Sequence, residues 1–225
     1  MKLKNLLGIA LAVSVFSGRN VFSAEQMVTL DKGKTISLSA VQAAVSDSRV
    51  LARVSGKFLI IEPAESGPGP RGPYEDAYPH GDVVFMIGDG TKEWGETEWG
   101  KYFDVAKYLA EKKFRVIMNP EATILDIKAT VQSPTISVMI WSSHGSKDGR
   151  IYDVAETPVP AKAFANISRS LKQIILNSCY SKNAPEIYKF PKNVDFVGWP
   201  ETTDSEGFFS YLTSEDWDPL KFFKK

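Results

Sequence analysis

The one cysteine of this 225-residue chain and one of its two histidines suit nucleophilic catalysis. His144 comes soon after the apolar stretch 136–141, and Cys179 comes soon after the apolar stretch 173–176. A thiol nucleophile needs a base that generates the thiolate and an acid that protonates the leaving group, and one imidazole can assist with both. The pair therefore indicates covalent catalysis by Cys179, with His144 as its acid and base.

The residues around this pair suit the oxyanion that such an attack creates. Gly145 directly follows His144, and a glycine lets the backbone approach a substrate carbonyl closely. Tight turns after strands can present backbone N–H donors, so we predict the N–H groups of Gly145 and Cys179 as the oxyanion donors. One cysteine excludes a Cys-based zinc site, and two histidines argue against a histidine-rich metal site. We predict no metal and no cofactor.

Strands and helices alternate along the chain from residue 82 onward. Continuous apolar runs predict strands over 82–87, 114–118, 136–141, 173–176 and 194–198. Helical spacing and capping patterns predict helices over 99–110, after an Asn119 N-cap, near 161–170 and after a Thr203–Glu206 capping box. The alternation predicts an α/β fold, a doubly wound and mostly parallel sheet with flanking helices. Ligands on such sheets bind beyond the carboxyl ends of the strands, where His144 and Cys179 both fall.

The N-terminus has the features of an export signal. Residues 1–24 combine Lys2 and Lys4, an apolar run over 6–16 and small residues ending at Ala24, which predicts a cleaved signal peptide. The run is shorter than the ~20 residues of a membrane-spanning helix, so we expect no integral membrane span. The alternative is a buried N-terminal helix or strand. We expect the protein to be secreted or periplasmic.

Three further segments follow the signal. Residues 25–63 predict a small β-rich N-terminal segment, residues 64–80 a Gly/Pro-rich linker, and residues 81–225 the α/β domain. The β-rich segment is predicted to be a removable pro-segment or docking module, or else a permanently attached packing unit. His80, in the linker, is predicted to be a solvated polar residue.

The composition excludes several classes of protein. An apolar content of 43% with 12% aromatic residues is that of a globular chain rather than a disordered one. The 27 basic and 27 acidic residues balance, so no basic field is available and we expect no nucleic-acid partner. The composition leaves the oligomeric state open.

The motifs at the two strand ends resemble those of a peptidase family. Ser-Ser-His144-Gly145 after one apolar strand and Asn-Ser-Cys179-Tyr-Ser after the next are similar to the caspase-like cysteine peptidases, which include caspases, legumains, gingipains, clostripain, separase and bacterial CHAT peptidases. The resemblance covers residues 82 to about 213. It implies a caspase-like fold, a His144/Cys179 dyad, and endopeptidase activity on a peptide or protein substrate.

The chain also departs from true caspases. The Gln-Ala-Cys-x-Gly signature is absent, and Cys179 lies 35 residues after His144, which is less than the ~50 of caspases. Specificity for aspartate is therefore not expected. The segment from Trp199 to Leu212 is instead similar to the region after the fifth strand in separase and CHAT members.

The charges in that segment favour a basic substrate residue. A pocket for Arg or Lys needs a carboxylate, because a desolvated guanidinium must be paired. The segment offers Glu201, Asp204 and Glu206 and no Lys or Arg. The resemblance to separase implies that Asp204 receives the arginine, and we predict Glu201 and Asp89 as further substrate-binding residues. The alternative is structural, with Asp204 favouring a helix N-terminus and Glu206 in the capping box.

Other functions remain open at this stage. The main alternative is a catalytically inactive caspase-like binding module in the cell envelope or outside the cell. Gly88-Asp89-Gly90 could belong to a phosphate loop, although it lacks a third glycine and any Gly-Lys-Ser/Thr. Ser178 could be a hydrolase nucleophile, although it lacks the flanking glycines of the nucleophile elbow.

Overall fold

The computed structural model of the protein describes residues 27–31, 34–45, 50–64, 74–88 and 96–224. The predicted signal peptide, residues 65–73 of the predicted linker, and Asp89 lie outside these ranges. No helix within the described ranges is both long enough and apolar enough to cross a membrane.

Strands and helices alternate through the described residues. In chain order they are β1 (Met27–Asp31), β2 (Lys34–Ser37), α1 (Leu38–Ala44), β3 (Val50–Ser55), β4 (Phe58–Pro63), α2 (Tyr74–Ala77), β5 (Asp82–Ile87), α3 (Glu96–Glu111), β6 (Arg115–Asn119), α4 (Ile124–Gln132), β7 (Ile136–Ser142), β8 (Gln173–Asn177), α5 (Ala184–Tyr188), β9 (Asp195–Gly198) and α6 (Ser205–Leu212). Short 3₁₀ helices cover Ala161–Phe164, Ser181–Asn183 and Pro219–Phe222.

Seven of the strands form one sheet, in the order β3-β4-β6-β5-β7-β8-β9. The five strands from β5 to β9 are mutually parallel, whereas β4 runs antiparallel to β6 and β3 antiparallel to β4. The predicted α/β fold with a mostly parallel sheet and flanking helices is therefore confirmed. β1 and β2 form a separate antiparallel pair.

Helices cover both faces of the sheet, which explains the apolar runs. Alternate residues of β5 enter different core clusters, with Phe85 joining Tyr102 and Phe208 from α3 and α6. Met86 joins the other cluster, which contains Ile127 from α4. All six residues of β5 and all seven of β7 are buried. A strand that is buried on both faces needs apolar side chains in both directions, so these runs are continuous rather than alternating.

Two strands of the predicted β-rich segment belong to the main sheet. β4 pairs with β6 through Leu59–Met118, Ile60–Ile117 and Ile61–Val116, and β3 forms the edge beyond it. Val41 and Val45, in and directly after α1, lie in the same core cluster as Phe85. Removing residues 25–63 would therefore expose one edge of β6, and an exposed edge strand pairs readily with other chains.

Two predicted helix starts are wrong. α4 begins four residues later than the Asn119 cap predicts, because Thr123 and Asp126 form a reciprocal capping box. Asn119 instead ends β6. α6 begins one residue later than the Thr203–Glu206 capping box predicts. Its cap is Asp204, whose carboxylate accepts a hydrogen bond from the Gly207 N–H at 2.7 Å.

Two other local predictions also fail. The helix predicted near 161–170 is only the 3₁₀ turn Ala161–Phe164, because Ala165 is extended and Asn166 has a positive φ of 58°. His80 is not simply solvated. Its ring lies between Phe114 and Phe223, with centroid distances of 5.3 and 4.9 Å. Burial among these rings lowers the pKa of the His80 imidazole below its ordinary value.

Candidate active site

β7 and β8 bring the predicted dyad to one edge of the sheet. The strands are parallel and end together at the Ser142–Asn177 pair. Beyond that pair the Ser143 N–H donates to the carbonyl of Asn177 at 3.2 Å, so the two chains stay adjacent where the ladder ends. His144 and Cys179 each come two residues after the pair.

The loops that carry the dyad touch each other at Gly145. A Cβ placed on Gly145 would lie 2.2 Å from the carbonyl oxygen of Cys179 and 2.8 Å from its nitrogen. No real Cβ tolerates such distances, so only glycine allows this approach. The His-Gly dipeptide is thus held against the backbone of the cysteine.

Cys179 lies in a tight turn that projects from the sheet edge. The Ser181 N–H donates to the carbonyl of Ser178 at 3.2 Å and closes the turn, while Tyr180 has a left-handed φ of 55°. The thiol is free and partly exposed. His144 is exposed. The described part of the chain provides no acceptor for the backbone N–H groups of Gly145 and Cys179.

The segment after β9 runs beside this turn. The Tyr180 N–H donates to the carbonyl of Glu201 at 2.8 Å, and the Lys182 N–H donates to the carbonyl of Trp199 at 2.9 Å. Ser181 strengthens the connection, since its hydroxyl accepts a hydrogen bond from the Trp199 N–H at 3.0 Å and donates to the Leu176 carbonyl of β8 at 2.7 Å.

The three acids predicted to bind substrate lie in different environments or outside the described residues. Glu201 is exposed, and its backbone contacts the residue after Cys179. Asp204 is also exposed, but one of its carboxylate oxygens caps α6 as the structural alternative anticipated. Glu206, which was predicted for the capping box and not for substrate binding, is exposed in the first turn of α6. Asp89 lies outside the described residues.

A buried polar network lies at the ends of β7 and β8, next to the loops that carry the dyad. The hydroxyls of Tyr102 and Ser142 lie 2.5 Å apart, and the Asn177 amide donates to Ser142 at 3.2 Å. Thr203 donates to the Asn177 amide oxygen at 3.4 Å. Burial raises the pKa of the Tyr102 phenol, so it stays protonated. The network joins α3, β7, β8 and the segment before α6.

Sequence reasoning missed Tyr102 and Ser142. In the sequence, Tyr102 has only the spacing of an apolar residue in the helix predicted over 99–110, and Ser142 belongs only to the Ser-Ser-His144-Gly145 motif. The available signal was a polar residue at the end of each buried strand, since a buried hydroxyl or amide needs a hydrogen-bond partner.

Comparisons with known proteins add no family to these findings. No protein-family model matches the chain, and no curated protein is significantly similar to it.

Proposed function

We propose that the protein is an exported cysteine endopeptidase of the caspase-like type. One observation carries the proposal: the loop with His144 and Gly145 contacts the backbone of Cys179 at the carboxyl edge of a parallel sheet. That edge is where α/β folds bind their ligands. A thiol, an imidazole and two unengaged N–H groups there match the requirements of acyl transfer.

The proposed reaction has an acylation and a deacylation half. The Cys179 thiolate attacks the scissile carbonyl carbon, and the carbonyl electrons move to the oxygen. The N–H groups of Gly145 and Cys179 donate to that oxyanion. His144 transfers the thiol's proton to the leaving amine, the C–N bond breaks, and a thioester remains.

Water then completes the cycle. His144 takes a proton from a water molecule, whose oxygen attacks the thioester carbonyl. The C–S bond breaks, the acid product leaves, and the proton returns to the sulfur through His144. The step consumes one water per peptide bond and needs no other reactant.

We further propose a preference for basic residues before the scissile bond. Glu201 supplies negative charge beside the Cys179 turn, Asp204 follows three residues later in the same segment, and the segment between β9 and α6 holds no cation. An exposed carboxylate that becomes covered by substrate pairs well with a guanidinium.

One observation favours the second candidate, a catalytically inactive binding module of the same fold. In the described ranges no side chain hydrogen-bonds the His144 imidazole, whereas many nucleophile–base pairs include an orienting group on the base. The inactive module predicts capture of an envelope or extracellular partner without turnover.

A peptidase assay on purified protein separates the two candidates. The wild type should cleave fluorogenic peptides with a basic residue before the bond, and C179A and H144A should each abolish turnover. H80Q is the matched control, because it removes the other histidine from the opposite end of the sheet. Retained activity in C179A would reject the nucleophile. Absence of turnover with a broad peptide library would favour the binding module.

A further inference from the structure

We infer that Ser143 is a positioning residue that holds His144 and Gly145 against the Cys179 turn. This inference rests on the proposed function, because it assigns a role to a side chain that touches no reacting atom. Sequence reasoning treated Ser143 only as one letter of the strand-end motif. The structure places its hydroxyl among four polar groups.

The Ser143 hydroxyl connects the two sides of the site. It donates to the His144 carbonyl at 2.8 Å, and it lies 3.2 Å from the hydroxyl of Ser178. Ser178 directly precedes Cys179 and is fully buried. The Ser143 hydroxyl therefore contacts both the backbone of His144 and the residue that precedes Cys179.

Two N–H donors fix the position of this hydroxyl. The indole Nε1 of Trp141 donates to it at 2.7 Å, and the backbone N–H of Tyr152 donates at 3.3 Å. Trp141 is fully buried in β7, and Tyr152 follows the short hairpin after His144. A hydroxyl has one proton and two lone pairs. The indole N–H and the Ser178 hydroxyl donate to the lone pairs, with the longer Tyr152 contact sharing one of them, so the proton of Ser143 is directed to the His144 carbonyl.

Neighbouring residues also restrict the positions of Ser143 and Trp141. A Cβ placed on Gly88, at the end of β5, would lie 2.6 Å from the Trp141 ring and 3.1 Å from the Ser143 Cβ. Ser143 and Trp141 are therefore packed against the end of β5 as well as hydrogen-bonded to each other. His144 is exposed and has little packing of its own, so its placement depends on the backbone that Ser143 holds.

The test uses the reactivity of Cys179 toward iodoacetamide at about pH 6, where an ordinary thiol with a pKa near 8.5 is almost fully protonated. Wild type should alkylate at least about tenfold faster than H144A, because the imidazole generates the thiolate. S143A should alkylate nearly as slowly as H144A. In the peptidase assay its kcat should fall about tenfold or more at nearly unchanged KM, since small misplacements of catalytic groups are costly.

S137A is the matched control. Ser137 lies at the other end of β7, the strand that Ser143 directly follows, and its hydroxyl donates to the carbonyls of His80 and Asp82 at 2.7 and 3.1 Å. S137A should lose stability as S143A does, without slowing the alkylation of Cys179. A purely structural role of Ser143 predicts the same behaviour for both variants.

The outcomes separate this inference from the proposed function. Equal alkylation rates in wild type and H144A contradict the proposed function and the inference with it. A fast wild type with an equally fast S143A overturns the inference alone. If S143A does not fold, S178A decides, because it removes only the bridging hydroxyl beside Cys179. Slowed alkylation in S178A supports the inference, and an unchanged rate overturns it.

Discussion

His144 and Cys179 each come two residues after the last aligned pair of β7 and β8, because their separation equals the register offset of the two strands. Every aligned pair from Val138–Gln173 to Ser142–Asn177 is 35 residues apart, which is also the distance from 144 to 179 along the chain. The 35-residue spacing, shorter than the ~50 of caspases, thus brings the loops of the histidine and the cysteine to the same edge of this sheet.

Gly145→Ala should damage the site, because its new Cβ would overlap the Cys179 carbonyl, 2.2 Å away. Overpacking of this kind typically costs about 1–3 kcal/mol and displaces backbone. We expect turnover to fall about tenfold or more, measured as kcat/KM on the best peptide substrate.

Gly100→Ala is the control for that prediction. Gly100 lies inside α3, and a Cβ there meets nothing within 4 Å. Alanine should therefore raise the free energy of unfolding by about 0.5–1 kcal/mol and leave turnover unchanged. Full activity in Gly145→Ala would show that the contact between the loops is dispensable.

Asp204→Asn tests substrate preference without removing the helix cap, since asparagine caps a helix as well as aspartate does. We expect kcat/KM for an arginyl substrate to fall at least about tenfold, or about 1.4 kcal/mol, with little change in melting temperature. Glu201→Gln should be assayed in parallel, because Glu201 is an exposed acid whose backbone contacts the Cys179 turn.

The two variants also distinguish the roles of the two acids. A loss confined to Glu201→Gln would leave Asp204 with its capping role and assign the pocket to Glu201. If the wild type cleaves arginyl and aspartyl substrates equally well, neither carboxylate selects the substrate.

His80 should make the fold sensitive to mild acid. Its Nδ1 is buried and has no hydrogen-bond partner among the described residues, and burial lowers the pKa of its imidazole below 6.5. Below about pH 6.5 the unfolded chain then binds more protons than the folded chain, so stability is full above that pH and falls as the pH drops. Urea unfolding at several pH values measures this directly.

His80→Phe is the comparison for that measurement, because phenylalanine keeps the ring contacts with Phe114 and Phe223 and cannot be protonated. The wild type should lose more stability than the variant between about pH 7.5 and 5.5. His144 is present in both proteins, so the difference reports His80 alone. Parallel pH profiles would contradict the prediction.

The residue pattern by itself was sufficient to predict the strands of the central sheet and the sheet edge at which the candidate site lies. Continuous apolar runs such as 82–87 and 136–141 predict strands buried on both faces, because burial and side-chain period are local properties of the chain. The ends of those runs place His144 and Cys179 just beyond two strands. These features depend on no contact between distant residues.

Only the tertiary structure decided which distant groups meet. The Gly145–Cys179 contact depends on the register of two strands, and the pairing of β4 with β6 depends on which edges are free. Thr203 has the right spacing for a capping box, yet its hydroxyl contacts Asn177 and leaves the cap to Asp204. A polar side chain has several partners within reach of its local sequence, and the one that it takes is set by segments that folding brings beside it.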